Sequence, residues 1–328
     1  MLRRRSAFMA LAITLTALGL TLVPAAAQSN YPSRTITVVV PFPAGGPNDI
    51  IARIVVSALQ QSLKQNVIID NRGGGGGNLG IAHVARAAPD GYTLLFTSTA
   101  IAVNPGLFSN LPYDPVKDFA PISEIVSAPN VLFVRPDSGI HSIAALIAKA
   151  KAEPDKLNYA SPGVGTKSHL TGELFKLRAG VGIQHIPYRG GGPATQALVA
   201  GTVQLASVAL APVEPLIKSG TARALAVTGA QRWYSLPDVP TMIESGFPGF
   251  VSDTFNAMLA PAGTPPEIVA LLVKHVREVM KRPDVVEAAR KYGYQIVAGT
   301  PEQMSARLIA EIAGVKELVA KAGIKPEN

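Results

Sequence analysis

Residues 34–63 read RTITVVVPFPAGGPNDIIARIVVSALQQSL, and the order of patterns within them decides the fold. Residues 34–40 are an apolar, β-branched run of strand length. Pro41-Phe42-Pro43-Ala44-Gly45-Gly46-Pro47-Asn48-Asp49 breaks that run, and residues 48–63 then repeat apolar side chains at helical spacing. A strand ending in a glycine turn and a helix start presents unpaired backbone N–H groups at the positive end of a helix dipole, where a carboxylate or phosphate satisfies both. Gly45 and Gly46 permit positive φ and close backbone approach, Asn48 is the expected N-cap, and Asp49 complements the dipole from the first turn. Tyr188-Arg189-Gly190-Gly191-Gly192-Pro193-Ala194 repeats the arrangement further along. Two such corners predict two lobes that close on one small anion.

The same alternation continues on either side. Residues 66–69 read as a strand, 78–87 as a helix, Asp90-Gly91 as a turn and 92–97 as a third strand. This β-α-β-α-β order predicts an α/β fold with a parallel sheet covered on both faces. It restarts with helices at 140–152, 167–178 and 193–200 and strands at 157–160, 184–187, 204–208 and 222–228. Residues 128–135 and 251–260 are expected to cross between the lobes. A tail of three helices, 266–280, 283–292 and 301–322, has proline near each start and is expected to pack back on the first lobe. The expected organisation is therefore lobe 1 from 28–130 and 254–328, and lobe 2 from 131–253, with a cleft between them.

The chain begins Met1-Leu2-Arg3-Arg4-Arg5, continues with an apolar run over 7–23 and reaches Pro24-Ala25-Ala26-Ala27-Gln28. That pattern predicts a secretory signal peptide, residues 1–27, cleaved after about Ala27, and a periplasmic mature protein. Of the net charge of +8, three charges belong to Arg3, Arg4 and Arg5, leaving 8 − 3 = +5 on the mature chain. No Lys/Arg run is interleaved with aromatics, so nucleic acid is not an expected partner. Cysteine is absent, which removes thiol catalysis and cysteine metal sites.

Local catalytic signatures are missing: there is no His-Glu-x-x-His, no Gly-x-Ser-x-Gly and no P-loop. His83, His141, His169, His185 and His275 have no ligand spacing, so no metal is expected. Gly75-x-Gly77-x-x-Gly80 matches the dinucleotide fingerprint formally, but it lies in the second unit and no acidic strand end follows at the right distance. It reads as a crossing loop whose helix end, at Asn78, lies near the cleft, and no cofactor is expected. Ser161-Pro162-Gly163-Val164-Gly165-Thr166-Lys167-Ser168-His169 has the logic of the first corner: a strand end, two glycines and hydroxyls at a helix start. Thr166 and Ser168 are cap candidates, and His169 reads as a packed histidine.

Several segments carry a family resemblance together: PFPAGGPND, IDNRGGGGGNLG, APDGYTLL, YASPGVGTKSHLTGELF, HIPYRGGGPA, LPDVPT and LAPAGTPPE, in that order over nearly the whole mature chain. The chain resembles the substrate-binding proteins of tripartite tricarboxylate transporters, the Bug or TctC-like family. The resemblance implies a two-lobed type II periplasmic-binding-protein fold, capture of a small organic carboxylate, and delivery to the membrane subunits of the transporter. It implies that Pro43, Ala44, Gly45, Gly46 and Asp49 grip the ligand from lobe 1, with Phe42 beside them. From lobe 2 it carries over Ser161, Gly163, Gly165, Thr166, His169 and the loop Gly190, Gly191, Gly192, Pro193, Ala194 and Thr195, partly through water. Asn78, Ser98 and Val208 complete the candidate set.

Departures from the family pattern bear on the ligand. Val208 and Ala209 stand where an acidic or amide residue is frequent, and Phe255 where tryptophan is frequent. A more apolar wall disfavours an amino acid, whose ammonium needs an acidic partner, and favours a mono- or dicarboxylate with an aliphatic or aromatic body. Lys167 reads as solvated on the helix rim, with reach to a second carboxylate as the alternative. The expected protein is a monomeric, non-enzymatic receptor. The alternatives are a receptor that presents its ligand to a membrane sensor and an exported hydrolase, the latter needing a Ser or Asp beside a base.

Overall fold

The computed structural model describes residues 31–324 and 326. The expected signal peptide, residues 1–27, lies outside the described residues.

The β-branched run forms β1 (Ile36–Val40), the Gly-Pro step opens α1 (Pro47–Leu63), and β2 (Val67–Asn71), α2 (Asn78–Ala85) and β3 (Thr93–Ser98) follow. Next come α3 (Ala100–Leu107), the sixteen-residue β4 (Phe119–Val134) and α4 (Ile143–Ala152). The second run is β5 (Asn158–Ser161), α5 (Lys167–Ala179), β6 (Gln184–Pro187), α6 (Gly191–Val199), β7 (Leu205–Ala209), α7 (Glu214–Lys218) and β8 (Arg223–Val227). The chain returns through β9 (Asp253–Pro261) into α8 (Pro266–Val279), α9 (Pro283–Lys291), β10 (Gln295–Ile296) and α10 (Pro301–Lys321). Proline at the first helical position opens α8, α9 and α10 as expected.

The sheet is mixed and not purely parallel. β2, β1 and β3 are parallel neighbours, and so are β6, β5 and β7. Each group receives one strand that comes from the other half of the chain, enters from the opposite end and runs against its neighbours. β9 lies between β3 and β4, antiparallel to both, and the last residues of β4 lie between β7 and β8, again antiparallel. β4 thus serves both groups: residues 119–129 pair with β9, and residues 130–134 pair with β7 and β8.

Separate apolar cores sit on the two groups. Val39, Ile81, Leu95, Phe255 and Leu259 pack together in the first, while Leu132, Tyr159, Phe175 and Phe250, with Val131, Val208 and Trp233 in a neighbouring cluster, fill the second. α10 joins the first core through Met304, Leu308 and Ile312. One turn further on, Val315, Leu318 and Val319 pack with Val103 of α3 and Leu170 of α5. The tail therefore touches both halves, where the sequence led us to expect only the first.

Where β4 and β9 cross, Arg307 of α10 forms ion pairs with Glu124 and Asp253, and its guanidinium lies 4.6 Å from the Phe255 ring centroid. Burial pushes the Glu124 carboxyl above its usual range; Arg307 opposes that shift and Asp253 adds to it. Beside this cluster Asn130 donates to the Ser252 carbonyl at 3.0 Å and accepts from the Ser168 hydroxyl at 2.7 Å, so the second crossing is held by buried polar bonds.

α3 was not read from the sequence. It contains Pro105, and Ile101, Ala102, Val103 and Asn104 are consecutively buried, so it has no polar face to give it a helical period.

Candidate functional site

The starts of α3 and α5, one from each half, meet at a cavity of about 480 Å³. The first half contributes Phe42, Gly76 and the turn Ser98-Thr99-Ala100, backed by Val103, Asn104, Leu107 and Phe108. Val164, Gly165, Thr166 and Lys167 line it from the second half, and Ile324 closes it from the tail. Phe42, Ser98, Gly165 and Thr166 were expected from the sequence. Thr99, Ala100 and the rest of α3 were not, because the helix itself was invisible.

Each corner is fixed locally. Ser98 ends β3 opposite Asn256, and its hydroxyl accepts from the Ala100 N–H at 3.3 Å. In the second half Gly163 and Gly165 have φ of 139° and 78°, and Thr166 caps α5 by accepting from the His169 N–H at 3.2 Å while donating to the Gly163 carbonyl at 2.8 Å. Among the described residues the N–H groups of Lys167 and Ser168, in the first turn of α5, find no acceptor. The result is a concave site with helix-start amides on one side and apolar side chains on the other.

Behind the α5 corner three rings stack. Tyr159 lies 4.8 Å from His185 and His185 lies 4.1 Å from His169, centroid to centroid. His185 Nε2 is 2.7 Å from the Ser161 hydroxyl, and His169 Nδ1 accepts from the Gly165 N–H at 3.1 Å. Burial, together with the neighbouring His169, pushes the His185 pKa down to about 4, and burial lowers that of His169. Both imidazoles are thus neutral near pH 7. Ser161 is fully buried and His169 is 4 % exposed, so these two expected site residues support the corner from behind. His169 is packed as expected, with the Gly165 amide as the partner of its Nδ1.

The two corners first singled out are largely self-satisfied. Asp49 is 1 % exposed and its carboxylate accepts from the Gly45 N–H at 2.8 Å, from Arg53 at 2.8 Å and from Asn71 at 3.0 Å. Burial acts to raise the Asp49 pKa, but Arg53, Gly45 and Asn71 outweigh it and hold the carboxyl below its usual value. The side chain occupies the place an anion would take at Gly45. The positive φ, 79°, falls at Gly45, while Gly46 has an ordinary φ of −76° and is itself the N-cap; Asn48 lies inside the helix and accepts from Asn256 at 2.6 Å. Pro43 and Ala44 are exposed and do not line the cavity.

At the other corner the Gly190 N–H donates to the Pro162 carbonyl at 3.0 Å, and neither Gly190 nor Gly191, Gly192, Pro193, Ala194 or Thr195 lines the cavity. Asn78 is turned inward, its carbonyl oxygen accepting from Asn104 at 2.6 Å and from Tyr113 at 2.7 Å. Val208 is fully buried in the core beside Val131, because the strand alternation points its side chain away from the cavity. Lys167 is not solvated: it is ion-paired with Glu311 of α10, with the two side chains only 11 % and 16 % exposed.

The family profile described as "Tripartite tricarboxylate transporter family receptor" matches residues 51–324. The chain belongs to that family. Among its relatives, Protein BugT of Bordetella pertussis is 40 % identical over 90 % of this chain and 91 % of its own length. A solved Rhodopseudomonas palustris protein with adipate is similar with a TM-score of 0.73 and 36 % identity, over 91 % of this chain and 100 % of that one. MatC from the same organism, solved with bound malate, gives a TM-score of 0.70 and 32 % identity over 88 % and 100 % of the two chains. As in its family, the fold is the two-lobed type II periplasmic-binding-protein fold, each lobe a largely parallel sheet flanked by helices. In this family receptor the cavity lies between the strand-to-helix turns of the two sheet groups, the position at which α/β sheets generally bind ligands.

Proposed function

We propose that this family receptor is an extracytoplasmic solute-binding protein that takes a small organic carboxylate and hands it to the membrane subunits of a tripartite tricarboxylate transporter. One observation carries the reading: two helix starts from opposite halves border the same cavity, and among the described residues no acidic side chain lines it. A carboxylate seated there meets two positive dipole ends and the free amides of α5. Each charge-assisted bond returns about 1.5–3 kcal/mol, so three or four of them support micromolar affinity, about −8 kcal/mol, after ordering costs. The relatives solved with adipate and malate support the same ligand class.

The lobes are taken as 28–130 with 254–328, and 131–253, hinged at β4 and at the segment leading into β9. Phe42, Ser98, Gly165 and Thr166 form the wall. Pro43 to Gly46, Gly163 and Gly190 to Thr195 lie on the flanking loops and contact the ligand through water or on closure, while Asp49, Asn78, Ser161 and His169 hold the corners and Val208 belongs to the core. The protein acts as a monomer, without catalysis, after export and removal of residues 1–27. The Ser161–His185 pair does not make a nucleophile: its hydroxyl is buried, and an imidazole with a pKa of about 4 is a weak base.

Calorimetry of the mature protein against a panel of mono- and dicarboxylates, aromatic acids and amino acids tests this. Saturable one-to-one binding of at least one carboxylate is expected; heat only from amino acids, or hydrolysis of an ester substrate, contradicts it.

A further inference from the structure

Resting on that reading of the cavity as a carboxylate site, we propose that Glu311 sets the charge specificity of the receptor, so that it selects acids with one carboxylate and an apolar body over the matching dicarboxylates. Lys167 is the only charged side chain in the cavity wall among the described residues, and its ammonium is paired with Glu311, which reaches it from α10. Both side chains are largely buried, so solvent screens the pair little. A second cavity of about 440 Å³ lies on the far side of the pair, lined by Glu311, Arg307 and Ser252, and the two cavities share Lys167. The ion pair is the partition between them.

One carboxylate is served by the helix starts. The rest of the ligand faces Val103, Leu107, Phe108, Val164 and Ile324. Asn104 is the other polar side chain on that wall, and its amide donates to the Gly76 carbonyl at 3.1 Å and to Asn78 at 2.6 Å, so its donors are committed. A second carboxylate on this side loses its water and, among the described residues, finds no uncompensated cation; the Ser98 and Thr99 hydroxyls belong to the α3 start that serves the first carboxylate. To use Lys167 the second carboxylate must share an ammonium whose charge Glu311 already balances, and the two carboxylates then repel each other across it. An apolar tail meets neither penalty.

The test is calorimetry of the mature chain with matched pairs that differ only in the second carboxylate: butyrate and succinate, hexanoate and adipate, benzoate and terephthalate. The wild type is expected to bind the best monocarboxylate at least tenfold more tightly than its partner. Glu311→Gln frees the ammonium and is expected to narrow or invert that ratio by tenfold or more, with a melting curve confirming that the variant folds. Wild-type protein that binds the dicarboxylate of its best pair as tightly or more tightly overturns the proposal and leaves the carboxylate site standing. A folded Glu311→Gln variant whose two affinities move together also overturns it. Silence toward every acid in both proteins overturns the site reading and this proposal with it.

Discussion

Acid should weaken this protein through the ring stack behind α5 before its surface carboxylates are exhausted. His185 lies between Tyr159 and His169 and is bonded to the buried Ser161, and its pKa is pushed down to about 4. An unfolded imidazole titrates at about 6.5, so the unfolded state binds more protons throughout the interval between the two values. The contribution is full above pH 6.5 and is lost as pH falls toward 4. The linkage amounts to about 2 kcal/mol of stability lost at pH 5 relative to pH 7, and about 3 kcal/mol at pH 4. His169, also lowered by burial, acts in the same direction. Urea denaturation of the wild type and of His185→Gln between pH 7.5 and 4.5 separates this term from that of the carboxylates, which both proteins share. The wild type should lose about 2.5 kcal/mol more than the variant over that range. Equal slopes, or a His185 imidazole resonance titrating near 6.5 in the folded protein, would refute the reasoning.

Asp49→Asn keeps the volume but turns a donor toward other donors at Gly45, Arg53 or Asn71; with Arg53 more than half exposed, the expected loss is about 1–3 kcal/mol by denaturation. Because the folded Asp49 pKa is lowered, its contribution is present above the ordinary carboxyl value and disappears as pH falls through the folded one. Gly165→Val places a branched side chain at φ 78° with its Cβ 3.0 Å from Leu107 in the cavity, and calorimetry should show affinity falling at least tenfold, by about 1.4 kcal/mol or more, while the fold persists. Gly172→Ala puts a Cβ 2.3 Å from the Tyr159 ring, with an expected cost of about 1–3 kcal/mol and a lower melting temperature.

The alternation of strand and helix was legible because most helices keep a polar face and most strands are bounded by Gly, Pro or Asp. β1, α1, α5, β6 and the three tail helices lie close to their expected positions. α3 could not be read, since a short helix buried on nearly every side carries no period, and with it went much of the first half's share of the cavity wall. The direction of β9 and the double service of β4 are also non-local: they depend on which sheet a strand joins. At the site, glycine loops at helix starts were recognisable as anion corners, but whether each amide was free was not. Asp49 fills one corner and the Pro162 carbonyl takes the Gly190 amide of the other, contacts made only once the chain has folded. Glu311 lies 144 residues from Lys167, and no local pattern joins them.

The most direct measurement is a crystal structure of the mature protein with a bound carboxylate. The expected result has the carboxylate oxygens within about 2.7–3.2 Å of the first-turn amides of α5 at Lys167 and Ser168 and in contact with the Ser98-Thr99-Ala100 turn at the start of α3. A carboxylate seated away from both helix starts would contradict the account.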